Sequence, residues 1–367
     1  METEVFDNPD SPDARVDAVC KALARALAGM GMFQRRFFPP DFVEIRKELL
    51  PFDASLKQAR QDLREMTFPA DRRQTVSTIA DSINLVLDAL ELIAAASTSD
   101  FQEIIVQVMK SFRKICRVQE NLYDIRWMSP YLNRFFLEPQ VYNQAVKLDP
   151  KPQQGSRVGL HHVGTEDNYY ARGALSIYVP ESYDDAVAWP LVIALHGGFG
   201  HGRDFIWTWL REARSRRFIL LSPTSMETTW SILNPELDGE ALMSNLDEVK
   251  KQWNIEMDRI LLTGISDGAT FALMCSLQHN LPFTAIAPVA GVLPPLDIST
   301  ANGKRIYWVH GARDWMFPVQ HARSAAAALD NIGANVTLRV IDDLSHTYPR
   351  EENDGILRWF DPALTLP

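Results

Sequence analysis

Apolar residues recur at alternating spacings of three and four through the first part of the chain. Val76, Ile79, Ile83, Val86, Leu90 and Ile93 fall on one helix face, and Phe101, Ile104, Ile105, Val108, Met109, Phe112 and Ile115 repeat the pattern in the next helix. Val16, Val19, Cys20, Leu23 and Leu27 mark an earlier helix. Asp71 stands where a helix near Arg72 needs a cap, and Ser97-Thr98-Ser99-Asp100 breaks the two long helices apart. Pro39-Pro40 and Pro51 punctuate the stretch between. With no convincing strand and few glycines, residues 1–150 are expected to form an all-α bundle of four or five segments.

The pattern then changes. Leu148-Asp149-Pro150-Lys151-Pro152-Gln153-Gln154-Gly155-Ser156 crowds Pro, Gly and polar residues together and reads as a linker. Beyond it, short β-branched runs at 161–163, 174–179, 190–195, 218–221, 259–263, 284–288, 305–310 and 335–341 alternate with helical stretches. Such alternation predicts a doubly wound, mostly parallel sheet for the domain 151–367. The connection from Val289 to Lys304 contains Gly291, Pro294, Pro295 and Gly303 and leaves no room for an inserted lid domain. The N-terminal bundle is then the large element available to cover a site, with Tyr123, Trp127, Tyr131, Phe135 and Phe136 as aromatic walls. The same aromatics serve equally as bundle core, and subunit association is the rival role for the bundle.

Candidate chemistry sits on the α/β part. Arg259-Ile260-Leu261-Leu262-Thr263 reads as a buried strand, Ala269 to Leu277 as a helix, and Gly264-Ile265-Ser266-Asp267-Gly268 joins them. A G-x-S-x-G at a strand-to-helix junction forces so sharp a turn that the flanking positions must lack bulky side chains. It lifts the serine hydroxyl above the sheet, at the positive end of the following helix. A nucleophilic serine needs a base and an orienting acid, in the chain order Ser, Asp or Glu, His. Asp314 lies in the loop after the strand ending at His310, and His346 lies in the loop after the last strand. Open α/β sheets place their chemistry at these strand ends. Asp342 and Asp343 compete with Asp314 as the acid, but their spacing from His346 favours fixing their own loop. Upstream, the strand 190–195 runs into His196-Gly197-Gly198-Phe199-Gly200. A tetrahedral oxyanion needs two backbone donors, and Asp267 and Gly198 would give them, with Phe199 as the nearest alternative to Gly198.

With these pieces together, the C-terminal part resembles the α/β-hydrolase superfamily, and within it the esterases of the phospholipase/carboxylesterase and polyhydroxybutyrate-depolymerase-like group. LHGGFG from Leu195, SPTSMETTWSI from Ser222, DRILLTGISDGATFAL from Asp258, VHGARDWMFPV from Val309 and LSHTYPRE from Leu344 carry the resemblance. The family usually has a second glycine after G-x-S-x-G, where this chain has Ala269. The resemblance implies a serine carboxylic-ester hydrolase that works through an acyl-enzyme without metal or organic cofactor. The same apparatus suits a thioester, an amide or a peptide, and a non-catalytic binding protein on the same fold is the alternative from another class. In the resembling esterases a Trp in the segment of Trp230 commonly faces the cleft. Trp230 is thus either a core aromatic or a substrate contact, Phe199 is a candidate substrate contact, and Trp315 either walls the leaving-group side or anchors its loop.

The remaining histidines narrow the picture little. His196 and His310 each precede a glycine at a strand end and read as loop-holding, while His201, near the mouth, reads as surface loop with a substrate contact as the alternative, and His279 and His321 as solvated. His161-His162 lacks a surrounding ligand cluster of metal-site spacing. A net charge of −10 across 367 residues removes the basic footprint of a nucleic-acid binder and disfavours anionic membranes. An acidic start without an apolar core is no secretory signal, and no apolar run approaches a membrane span. Cys20, Cys116 and Cys275 are an odd, scattered set in apolar helical patterns, which fits reduced thiols of a cytoplasmic protein. A small-molecule ester and a homo-oligomer through the N-terminal helices are the expected partners.

Overall fold

The computed structural model describes residues 12–97, 100–150, 157–165, 168–278 and 281–366. Packing divides the chain into two compact units, Met1–Phe136 and Leu137–Pro367. His279 lies outside the described residues.

The first unit is helical. Its long helices are α1 (Pro12–Arg36), α2 (Leu50–Glu65), α3 (Arg73–Ala95) and α4 (Phe101–Asp124). Ile79, Ile83, Val86, Leu90 and Ile93 of α3 are buried, as are Ile104, Val108 and Ile115 of α4. These lie on the stripes the spacing predicts, but Phe101 and Met109, expected on the α4 stripe, are exposed. The buried Ser111 hydroxyl of α4 donates to the Ala89 carbonyl of α3 at 3.0 Å, which satisfies a polar group in the seam. Asp100 caps α4, accepting from the amides of Gln102 and Glu103 at 2.9 and 3.2 Å. Asp71 instead falls inside a short 3₁₀ turn ahead of α3 and caps nothing with its side chain.

The second unit is an eight-stranded sheet. Its strands are β1 (Gly159–Val163), β2 (Leu175–Val179), β3 (Trp189–Leu195), β4 (Ile219–Pro223), β5 (Ile255–Ile265), β6 (Ala285–Val289), β7 (Arg305–Gly311) and β8 (Asn335–Ile341). The spatial order is β1-β2-β4-β3-β5-β6-β7-β8. β2 runs antiparallel to β1 and β4, and all other pairs are parallel. This is the doubly wound, mostly parallel sheet expected, in the strand order of an α/β-hydrolase. The central strands are buried along their length because helices cover both faces, whereas β8, at the edge, alternates exposed and half-buried positions. The helices α5 (Leu210–Arg216), α6 (Pro235–Gln252), α7 (Asp267–Gln278), α8 (Val319–Asn331) and α9 (Asn353–Phe360) follow β3 to β8. Between β6 and β7 there is only a 3₁₀ turn, Ser299–Ala301, and no lid.

Residues 137–149 are held within the second unit by buried ions. Arg216 of α5 pairs with Glu138 through two hydrogen bonds of 2.7 Å and also donates to Asp354 at 2.8 Å and to the Leu364 carbonyl at 3.1 Å. Arg214 donates to Asp149 at 2.8 Å, and the Ser215 hydroxyl accepts the Glu138 amide at 2.8 Å. Removing one partner of so buried a pair leaves an uncompensated charge.

Candidate active site

β5 ends at Ile265 and α7 begins at Asp267, so Ser266 makes the whole turn. Its φ is +55°, in the left-handed region that a residue with a Cβ occupies only under constraint. The constraint is visible. Ser266 donates its amide to the Val289 carbonyl and accepts the Thr270 amide, both at 2.9 Å. A Cβ on Gly268 would stand 2.3 Å from the His196 carbonyl oxygen, and one on Gly264 would stand 2.7 Å from the Gly268 carbonyl carbon. The two glycines are therefore required by close backbone approach. Ala269, the departure from the family pattern, is accommodated by Gly291, where an added Cβ would lie 2.7 Å from that of Ala269.

The loops after β7 and β8 meet at the same end of the sheet. The amides of Ala312 and Arg313 donate to the carbonyls of Ile341 and Leu344 at 2.9 Å each, which staples one loop to the other. His346 thereby lies between the serine and Asp314. Its Nε2 is 3.0 Å from Ser266 Oγ, and its Nδ1 is 2.8 Å from Asp314 Oδ2. Asp342 and Asp343 are exposed and do not supply this contact. The other carboxylate oxygen, Oδ1, accepts the amides of Met316 and Phe317 at 2.9 and 2.7 Å. Asp314 is thus buried, hydrogen-bonded on both oxygens and fixed in rotation.

Of the neighbours of this relay, Phe317 carried no reading from the sequence. Phe317 presents its ring edge-on to His346, with centroids 5.2 Å apart and planes at 90°. Trp315 packs on the same imidazole, with centroids 6.1 Å apart and planes at 70°. His310, fully buried, bonds the Phe317 carbonyl through Nε2 at 2.7 Å. Burial pushes its pKa below the usual imidazole value, against the opposing pull of that carbonyl and of Asp314, so the ring is neutral at physiological pH.

On the other side of the serine stands the His196–Gly200 turn. An added Cβ on Gly197 would lie 3.6 Å from Ser266 Cβ, and one on Gly198 would lie 2.7 Å from Asp267 Oδ2. The turn therefore packs directly on the elbow. Phe199 has φ +58°, and its amide is committed to the Thr228 carbonyl at 3.0 Å. That bond removes Phe199 as an alternative donor to Gly198. Its side chain is 67% exposed, as a substrate contact must be before substrate binds. Trp230 is different. It is 3% exposed, stacks on Phe271 at 5.1 Å, lies tilted at 35° to the His196 ring 4.9 Å away, and donates its indole N–H to the His196 carbonyl at 2.7 Å. Of its two readings the structure takes the core one, because the indole N–H finds its partner inside the fold. His201, expected on the surface, is also buried, 4.5 Å from the Tyr170 ring. His162 Nδ1 bonds the Ser176 hydroxyl at 2.8 Å within the β1–β2 pair. No group of three metal-ligating side chains occurs among the described residues. No helix among them is long and apolar enough to cross a membrane.

His196 carries a pH consequence. Its Nδ1 bonds the Gly197 carbonyl at 2.7 Å and its Nε2 accepts the Ser225 amide at 3.1 Å, so the ring is held as the neutral Nδ1–H tautomer. Burial pushes its pKa from 6.5 down to about 3, although the Gly197 carbonyl works the other way. Unfolding between these values takes up a proton, so the stability from the neutral ring is complete above about 6.5 and drains as pH falls toward 3. An NMR titration of the folded protein should show His196 still neutral at about pH 5, well below the ordinary imidazole value. A midpoint near that ordinary value would contradict the assigned burial and tautomer.

Comparisons with known proteins find esterases. The family described as Phospholipase/Carboxylesterase matches residues 240–359, the stretch that holds all three members of the relay. Esterase YpfH of Escherichia coli (strain K12) is 24% identical over 209 residues, 55% of this chain and 79% of that protein. The bifunctional acetylxylan esterase/xylanase XynS20E of Neocallimastix patriciarum is 27% identical over 190 residues, 49% of this chain and 26% of that one. Among solved structures, esterase PE8 aligns over 51% of this chain and 97% of its own at 20% identity, with a TM-score of 0.43. The fold assignment rests on the strand order rather than on that superposition. The resemblance read from the sequence is borne out, and the matches support an α/β-hydrolase of the esterase class.

Proposed function

We propose that the protein is a serine carboxylic-ester hydrolase in which Ser266, His346 and Asp314 form the catalytic relay. The observation that carries this reading is the pair of contacts at His346, 3.0 Å to the serine and 2.8 Å to the buried carboxylate, at a strained strand-to-helix turn. Ser266 Oγ attacks the ester carbonyl carbon while His346 Nε2 accepts its proton. The carbonyl oxygen becomes an oxyanion held by the amides of Gly198 and Asp267, the latter at the positive end of α7. Collapse breaks the bond to the leaving alkoxide, which takes the proton from His346, and the acyl group stays on Ser266. Water then repeats the sequence with His346 as base and releases the acid. Asp314 keeps Nδ1 protonated and stabilises the imidazolium.

Phe199 and Trp315 are the proposed substrate contacts, on the oxyanion turn and beside the acid. A thioester, an amide or a peptide would pass through the same steps, so the scissile bond is decided by a substrate panel. A binding protein without turnover is the alternative of another class, and it would leave such a panel untouched. Every catalytic role falls on protein groups, with no metal or organic cofactor, and nucleic acid and membrane are not proposed partners. A cytoplasmic location is proposed from the sequence, in which Cys20, Cys116 and Cys275 are an odd, scattered set.

For the helical unit we propose substrate selection, with subunit association as the rival. A chain beginning at Leu137, which keeps the Glu138–Arg216 pair, is expected to react with a small fluorophosphonate and to rank esters of graded acyl and alcohol size differently from the full chain. An unchanged ranking would exclude selection by the bundle, and an oligomeric full chain whose shortened form is monomeric with the same ranking would assign the bundle to association.

A further inference from the structure

The loop between β4 and α6 is pinned at both ends by one buried carboxylate. Asp238, in the first turn of α6, accepts the Met226 amide on Oδ1 at 2.8 Å and the Ser231 amide on Oδ2 at 2.7 Å. The Ser231 hydroxyl in turn accepts the Asp238 amide at 3.2 Å. Between the pins, three consecutive residues reach the active site. The Thr228 carbonyl accepts the Phe199 amide at 3.0 Å, the Thr229 hydroxyl donates to Asp267 Oδ2 at 2.5 Å, and the Trp230 indole donates to the His196 carbonyl at 2.7 Å.

These contacts have a geometric consequence. Thr228 and Trp230 hold the Gly197–Gly198 turn from its two ends, and Thr229 holds the residue that supplies the other oxyanion amide. Asp267 Oδ2 lies 2.7 Å, and Thr229 Oγ1 3.7 Å, from where a Cβ on Gly198 would stand. The two amides that must converge on one oxygen belong to different elements, and the loop 228–230 ties those elements together. Charge makes the middle contact the important one. Asp267 places a carboxylate beside the spot where negative charge develops in the reaction. While Thr229 donates to it, that carboxylate is held on the loop side. Released, it can turn to the amides at the α7 N-terminus, the same anion site that the transition state uses.

We infer that Thr229 is a positioning residue: its hydroxyl keeps the Asp267 carboxylate out of the oxyanion site and fixes the spacing of the two donors. The inference rests on the esterase reading above. It is tested on the full-length chain with p-nitrophenyl acetate. Thr229→Val should lower kcat by about 10- to 100-fold, part of the loss seen when an oxyanion donor is removed, with KM changed less than about threefold. Thr229→Ser, which keeps the hydroxyl, should stay within about threefold of the unaltered protein. The distinguishing outcome is the double variant. If the released carboxylate does the damage, Asp267→Ala should cost less than Thr229→Val, and the pair together should match Asp267→Ala alone. Thr229→Ala replaces the valine variant if the latter does not fold. A Thr229→Val enzyme with unaltered kcat, or single effects that multiply in the double variant, would overturn the role of Thr229 and leave the esterase reading standing. An unaltered protein that neither cleaves esters nor reacts with a fluorophosphonate would defeat the esterase reading itself, and this inference with it.

Discussion

Ser266→Ala and His346→Ala are each expected to lower kcat by about 10⁴- to 10⁶-fold while the protein remains folded. The size follows from what each residue does. Without Ser266 there is no group to form the acyl-enzyme, and without His346 the hydroxyl keeps its proton and the leaving alkoxide finds none. Because the two act as a unit, removing both should cost little more than removing either. Folding should survive because the structural ties of Ser266 are backbone bonds, its amide to Val289 and its carbonyl to Thr270. An alanine carries the same positive φ at similar cost, since the strain belongs to the Cβ that both residues share. Ester hydrolysis with p-nitrophenyl acetate, beside a thermal melt of each variant, checks both halves. A well-folded variant that keeps more than about a hundredth of the rate would remove that residue from the mechanism.

Asp314→Asn should lower kcat by up to about 10⁴-fold, and the hydrogen bonds around it say why. Oδ1 accepts two backbone amides, from Met316 and Phe317, and only an acceptor can replace it there. An asparagine must therefore keep its carbonyl oxygen in that place and turn its NH₂ toward His346. Nδ1 then has to accept, the proton moves to Nε2, and the imidazole can no longer take the proton of Ser266. The loss comes from the wrong tautomer in an intact geometry. Asp342→Asn and Asp343→Asn should leave kcat within about twofold, since both are exposed and neither makes the Nδ1 contact. A normal rate for Asp314→Asn, with either neighbour inactive, would assign the acid to the histidine's own loop.

The features legible in the sequence are those encoded locally. G-x-S-x-G is readable because its glycines answer to contacts within a few residues and to one neighbouring strand end. The strands are readable because a parallel sheet covered on both faces needs continuous apolar runs, and β8 because an edge strand alternates. The positions of Asp314 and His346 follow from chain order and from loops at strand ends. Partnerships across long separations were not legible. Arg216 and Glu138 stand 78 residues apart, and no periodicity announces that they pair. The buried position of Trp230 depends on the His196 carbonyl, and that of His201 on Tyr170, neither of which is adjacent in sequence. Asp100 rather than Asp71 caps a helix because the chain enters the latter through a 3₁₀ turn that leaves the Asp71 side chain outside the cap position. Thr229 looks like an ordinary loop threonine until the elbow is folded beside it.

Reaction of the full-length protein with a fluorophosphonate, followed by intact mass and peptide mapping, tests the central claim most directly. The expected result is one phosphonyl adduct per chain, located on Ser266, formed in step with loss of ester hydrolysis and absent in Ser266→Ala. A protein that hydrolyses esters at full rate with Ser266 unmodified would contradict the serine mechanism.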